Sequence, residues 1–127
     1  MPDYTLLRGD TWTQPLSGLG ILTGRTKLWF TAKMSTQDTD LQAVFQIEEA
    51  AGLLRLNGAA GTPGDGSLVV VSEAGGTATV TLSAEATRQL GGAARLRWDC
   101  QVAFGATVNT RSSGWLTIPL DATRAVG

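Results

Sequence analysis

Histidine is absent from this 127-residue sequence, and cysteine occurs once, as Cys100. These absences remove much chemistry. With no imidazole and no second thiol there is no internal disulfide, no Ser/His/Asp or Cys/His nucleophile, no His-ligated metal and no cysteine-based zinc site. Carboxylate, Lys, Tyr and Arg chemistry remain, and no set of these residues assembles a nucleophile, a base and a stabiliser. The sequence therefore predicts a protein that is not an enzyme and holds no cofactor. Neither sign of charge dominates: 10 Lys and Arg stand against 11 Asp and Glu, with no basic run, so the electrostatic footprint of a nucleic-acid binder is missing. Apolar runs are short, none nearing the ~18 residues of a membrane-spanning helix. The opening Met1-Pro2-Asp3-Tyr4-Thr5 has neither the positive region nor the apolar run of a signal peptide. The expectation is one soluble domain, 1–127, made in the cytoplasm, with no membrane partner.

What is present is alternation. In Arg95-Leu96-Arg97-Trp98-Asp99-Cys100-Gln101-Val102-Ala103-Phe104, every second residue from Leu96 is apolar and the residues between are mostly polar, as in a strand with one face on a core and the other on water. Residues 77–83 repeat the pattern, with Ala78, Val80 and Leu82 inward and Thr77, Thr79 and Thr81 outward. Further strands are predicted at 27–33, 43–47, 68–71 and 115–120, and at 11–16, where Pro15 implies a sheet edge because it has no N–H to give a ladder. Gly-rich turns separate them, among them Thr23-Gly24, Asn57-Gly58, Pro63-Gly64-Asp65-Gly66 and Gly75-Gly76. One helix is predicted, over 84–90, capped by Ser83 and ended by Gly91. Short strands without parallel βαβ spacing predict an all-β, antiparallel, immunoglobulin-like sandwich with one short helix, a small barrel being the alternative. The stretch 57–66 reads as a loop without secondary structure, ordered only against a neighbour. It lacks the Lys and Ser/Thr of a phosphate-binding loop, so nucleotide binding is discounted.

The order of several short motifs carries a resemblance. Arg8-Gly9-Asp10-Thr11, Leu22-Thr23-Gly24 and Lys27-Leu28-Trp29-Phe30-Thr31 are followed downstream by Thr87 and Leu90 at the helix end, by Trp98-Asp99-Cys100-Gln101 and by Asp121-Ala122-Thr123-Arg124. This order resembles a family of small tailed-phage virion proteins related to the N-terminal domain of phage baseplate upper proteins. Trp98 stands where that family usually has Tyr, and Cys100 where it has Val; both suit an apolar position. The resemblance implies an immunoglobulin-like sandwich that is a structural part of a tailed bacteriophage virion. Its partners would be other copies of itself and other virion proteins, in a baseplate or tail accessory or in a capsid decoration. The alternative from another class is a carbohydrate- or host-receptor-binding adhesion module.

Individual residues are weighed against these readings. Arg8-Gly9-Asp10 is the tripeptide of adhesion ligands, but it precedes a short strand where such a ligand needs the tip of a long hairpin. It is read as a turn, with Arg8 and Asp10 pairing with Asp121 or Arg124. If Leu28 and Phe30 face inward then Trp29 faces outward, and by the same logic so does Trp115; the two are the candidate interface, since Trp is enriched in interface cores. A register shift or bulge would return either to the core. Asp38 and Asp40, with Asp65 or with Glu48 and Glu49, have no calcium-loop spacing and are read as a solvated turn, not a metal site. Cys100 is expected to pack inward as a small apolar group.

Overall fold

The alternation of the central strands organises the whole molecule. The computed structural model describes residues 3–35, 37–39, 42–91 and 94–119. Along them run β1 (Asp3–Thr5), β2 (Trp12–Leu16), β3 (Lys27–Lys33), β4 (Phe45–Glu48), β5 (Gly52–Leu56), β6 (Ala59–Ala60), β7 (Gly66–Ser72), β8 (Thr77–Leu82), α1 (Ala84–Gln89), β9 (Ala94–Phe104) and β10 (Thr107–Ile118). They form an all-β sandwich of a seven-stranded sheet, ordered β1-β10-β9-β3-β4-β5-β6, and a three-stranded sheet, ordered β2-β8-β7. Every pairing is antiparallel except that of β1 with β10. The expected antiparallel sandwich is thus what forms, with one short parallel strand added at an edge of the large sheet. That strand, Asp-Tyr-Thr, is too short to show alternation.

The two layers meet through aromatic rings. Phe30 of β3 stacks on Trp98 of β9 (centroids 5.3 Å apart) and on Phe45 of β4 (5.9 Å), while Trp12 reaches from the small sheet to both phenylalanines at 5.8 and 5.9 Å. Such pairs add about 0.5–1.5 kcal/mol each beyond the area they bury. Room for them comes from Ala32, whose cross-strand neighbours are Trp98 on one side and Phe45 on the other, so that a small residue sits between two large ones. Trp12 is buried, and its indole N–H is satisfied by donating to the Thr5 carbonyl at 3.1 Å.

Three corrections have local physical causes. The stretch 57–66 is not without secondary structure: Asn57 and Gly58, at φ 55° and 77°, make the tight turn of the β5–β6 hairpin, and Pro63–Asp65 form a 3-10 turn. Adjacent left-handed residues match the twist of paired strands, and Asn-Gly adopts them readily. The β5 strand is concealed in the sequence by a bulge at Leu54, which lets Leu53 and Leu56, three residues apart, both face the core. The first half of β10 is concealed because Thr107 to Thr110 are exposed, so no apolar face marks them. The helix, by contrast, ends within one residue of expectation, and the Ser83 hydroxyl accepts from Ala86 N at 3.1 Å.

Because Phe30 touches three of the rings that join the layers, Phe30→Ala is expected to lower the unfolding free energy by about 3–5 kcal/mol, measured by denaturant titration followed by tryptophan fluorescence.

Candidate interaction site

Strand register decides what the outer face of the seven-stranded sheet presents. Since Leu96, Trp98, Cys100 and Val102 of β9 are buried, Arg95, Arg97, Asp99 and Gln101 point away from the core, as do Lys27, Trp29, Thr31 and Lys33 of β3 by the same alternation. Pairing aligns Trp115, Arg97 and Lys33 in one row across β10, β9 and β3, and Gln101, Trp29 and Glu48 in another across β9, β3 and β4. Both candidate tryptophans therefore lie on the same face, roughly 16 Å apart as estimated from strand rise and spacing. No register shift returns either to the core. Both are half-buried.

Their surroundings are cationic. The Arg95 and Arg97 guanidinium carbons lie 4.1 and 4.7 Å from the centroid of Trp115, and the Lys27 ammonium lies 5.9 Å from that of Trp29. Contacts of this kind are worth about 0.5–1 kcal/mol where exposed, and they hold the indole against the sheet with positive charge beside it. Arg95 and Arg97 were not singled out from the sequence, although they alternate with core residues opposite Trp115. Between the two rows, Gln46 Nε2 donates to Thr31 Oγ1 at 3.1 Å, a buried polar pair on the outward side.

The Arg8-Gly9-Asp10 segment is held from within. Gly9 has φ +87°, a conformation that favours glycine, and its N–H donates to Thr87 Oγ1 at 3.0 Å. The Thr87 hydroxyl is itself within hydrogen-bonding distance of two carbonyls, those of Asp10 (2.8 Å) and Ala84 (3.1 Å). Arg8 Nε donates to the Leu90 carbonyl at 2.9 Å, at the end of α1, where an uncapped carbonyl and the negative end of the helix dipole favour a cation. The tripeptide is thus a turn clasped to α1. Asp121 and Arg124, its expected partners, lie outside the described residues.

The remaining candidates are placed as follows. Asp38 closes a turn by accepting from Ser35 N at 3.2 Å; Asp40 lies outside the described residues. Among the described residues no group of three or more Cys, Asp or Glu stands together as a metal site, and no helix is long and apolar enough to cross a membrane. Glu49 and Glu73 instead share Arg25. Glu49 is gripped by two guanidinium nitrogens and Glu73 lies 3.2 Å away, an arrangement that raises the Arg25 pKa, chiefly through the hydrogen bond to Glu49. Cys100 is buried in the core, and burial, then the neighbouring Asp99 charge, pushes its thiol pKa up to about 12.

No family model and no curated protein matches this chain.

Two expectations follow. Replacing Thr87 by Val leaves the Gly9 N–H and the Asp10 carbonyl without their partner, which should cost about 1–3 kcal/mol in a denaturant titration. Because the Cys100 pKa is raised on folding, the proton is held more tightly in the folded state. That contribution to stability is complete below the ordinary thiol pKa and declines as the pH rises from there towards about 12. A Cys100→Ala variant, denatured over the same pH range, should show a shallower alkaline decline.

Proposed function

We propose that this chain is a structural, non-enzymatic protein of a tailed bacteriophage virion, working by multimeric protein–protein contact as a baseplate or tail accessory or as a capsid decoration. An immunoglobulin-like topology for its sandwich belongs to the same proposal. The reading starts from the resemblance in motif order. The structural observation that supports it best is the shared outer face of Trp29 and Trp115, the second flanked by two arginines.

Large aromatics with Arg beside them are the residue types that concentrate binding energy at protein interfaces. Here they are carried on the middle of a wide sheet, where backbone pairing on both sides keeps them in place. An aromatic anchor beside guanidinium groups suits a partner surface with carboxylates. Many copies make such a contact effective even when each is weak, because every engaged site raises the effective concentration at the next. The adhesion reading gains less from this geometry. The Arg8 side chain and the Gly9 amide are engaged with α1, and two guanidiniums lie against the ring a sugar would need.

The double substitution Trp29→Ser, Trp115→Ser should lower the mass of the isolated oligomer in sedimentation velocity while circular dichroism is unchanged. A folded oligomer of unaltered mass would count against this interface.

A further inference from the structure

Most arginines of this chain have an oxygen to hold. Arg25 meets the carboxylates of Glu49 and Glu73, Arg88 meets that of Glu85, and Arg8 and Arg111 donate to backbone carbonyls. Arg95 and Arg97 differ. Among the described residues neither has a carboxylate at ion-pair distance or a hydrogen-bond acceptor, and both lie over one ring, that of Trp115. The five N–H groups of a guanidinium lie in its plane, so a contact made through its face leaves them for another partner. Two sets of such donors therefore stand beside one indole.

Strand pairing sets this arrangement. Trp115 of β10 lies directly across from Arg97 of β9, and Arg95, on the same face of β9, reaches the ring from the diagonal position. Because β9 is bonded to β10 on one side and to β3 on the other, both arginines start from a fixed backbone. Lys33 extends the row beyond Arg97. There the chain leaves the sheet, and Met34 and Ser35 join Arg97 and Trp115 in lining an open cleft of about 470 Å³. Met34 is 59% exposed, so the cleft has an apolar wall beside its guanidiniums. On the opposite flank Asp3 accepts from the Trp115 amide at 3.4 Å, and Asp99 lies in the next row, between Thr31 and Ser113.

We propose that this cleft binds an acidic, apolar segment of a partner protein, in which an Asp or Glu carboxylate is held by Arg95 and Arg97 and the adjoining apolar side chain lies on Met34 and Trp115. This rests on the reading of the face as a contact surface and adds the chemistry of what it contacts. Charge complementarity selects the occupant, since two guanidiniums without a carboxylate converge on one ring and Lys33 stands in the same row. Hydrogen bonds from guanidinium to carboxylate are about twice as strong as neutral ones, and a side chain already ordered on a ring has less freedom to lose on binding. A nucleic acid fits this face less well. Its phosphates follow one another without a break, and Asp3 and Asp99, on the same face, meet them with like charge. An isolated carboxylate next to an apolar side chain avoids that repulsion and makes use of Met34.

The test titrates the full chain with short peptides blocked at both termini and follows the Trp115 indole N–H and the Arg95 and Arg97 Nε–H signals by NMR. An Asp-Leu repeat should bind, with the Asn-Leu repeat and the Asp-Gly repeat each weaker by about tenfold or more. Arg95→Gln and Arg97→Gln should each raise the Kd for the Asp-Leu peptide about tenfold with circular dichroism unchanged, and Arg97→Lys should not recover it, because an ammonium keeps the charge and loses the fork. Lys27→Gln, beside Trp29, should change that Kd by less than about twofold, since a distant exposed charge is screened. An Asn-Leu peptide that binds as well as the Asp-Leu peptide overturns the carboxylate requirement without recourse to any variant. Binding that survives both Arg→Gln substitutions, or a single-stranded oligonucleotide that moves the same signals at lower concentration than the peptide, overturns the assignment. Absence of any shift at millimolar peptide also overturns it. In that case a loss of mass on Trp29→Ser, Trp115→Ser substitution leaves the contact-surface reading standing, and an unaltered mass removes that reading as well.

Discussion

The stack of rings from Tyr4 through Trp98 and Phe30 to Phe45, with Trp12 laid against it from the opposite layer, is what the rest of the structure depends on. Antiparallel strands can be joined in many registers, and a slip of one residue turns every side chain of a strand to the other face. Large rings make most of those registers impossible, because each needs a small neighbour beside it. Ala32 is that neighbour for Trp98 and Phe45. Once β3, β9 and β4 are fixed against one another, the outward row containing Trp115, Arg97 and Lys33 is fixed too, although none of its members belongs to the core. The surface geometry is a by-product of how the interior is keyed.

What could be read beforehand follows the same logic. Strands whose outward residues are polar and whose inward residues are apolar, such as β9 and β8, declare themselves, and with them the outward direction of Trp29 and Trp115. Pro15 declared an edge, and it occupies one. The β5 strand did not declare itself because the bulge at Leu54 sets its core residues three apart. The 107–110 half of β10 did not because it pairs with β9 beyond the buried layer, where its single apolar residue, Val108, is exposed and makes no alternating face. Parallel pairing of β1 was invisible for a different reason: three residues carry no period, and the strand is kept in place by Tyr4 stacking on Trp98 at 5.0 Å, a contact made far along the chain.

The tripeptide at Arg8 shows how a functional-looking motif is absorbed by folding. A connection crossing from the large sheet to the small one must turn, here through a residue at positive φ, and must leave no backbone donor or acceptor stranded near the core. Gly9 meets the first need. Thr87, fully buried inside α1, meets the second by serving the Gly9 amide and the Asp10 carbonyl together, and Arg8 closes the last carbonyls of the same helix. Each of the three residues has a role within the chain before any partner is considered.

The two outer faces are chemically unlike, and that difference bears on what each could meet. The large sheet shows tryptophan, arginine and lysine. On the small one, Thr13, Thr81 and Ser67 form one row and Pro15, Thr79 and Val69 the next, with no charge among them. Charges set partner choice and orientation over a distance, whereas an uncharged strand edge discriminates through register alone. The two surfaces lie on opposite layers of one sandwich, so that a contact through one would leave the other uncovered. Pro15, on the outer strand of the small sheet, has no N–H to give a further strand, so that edge is a poor template for pairing.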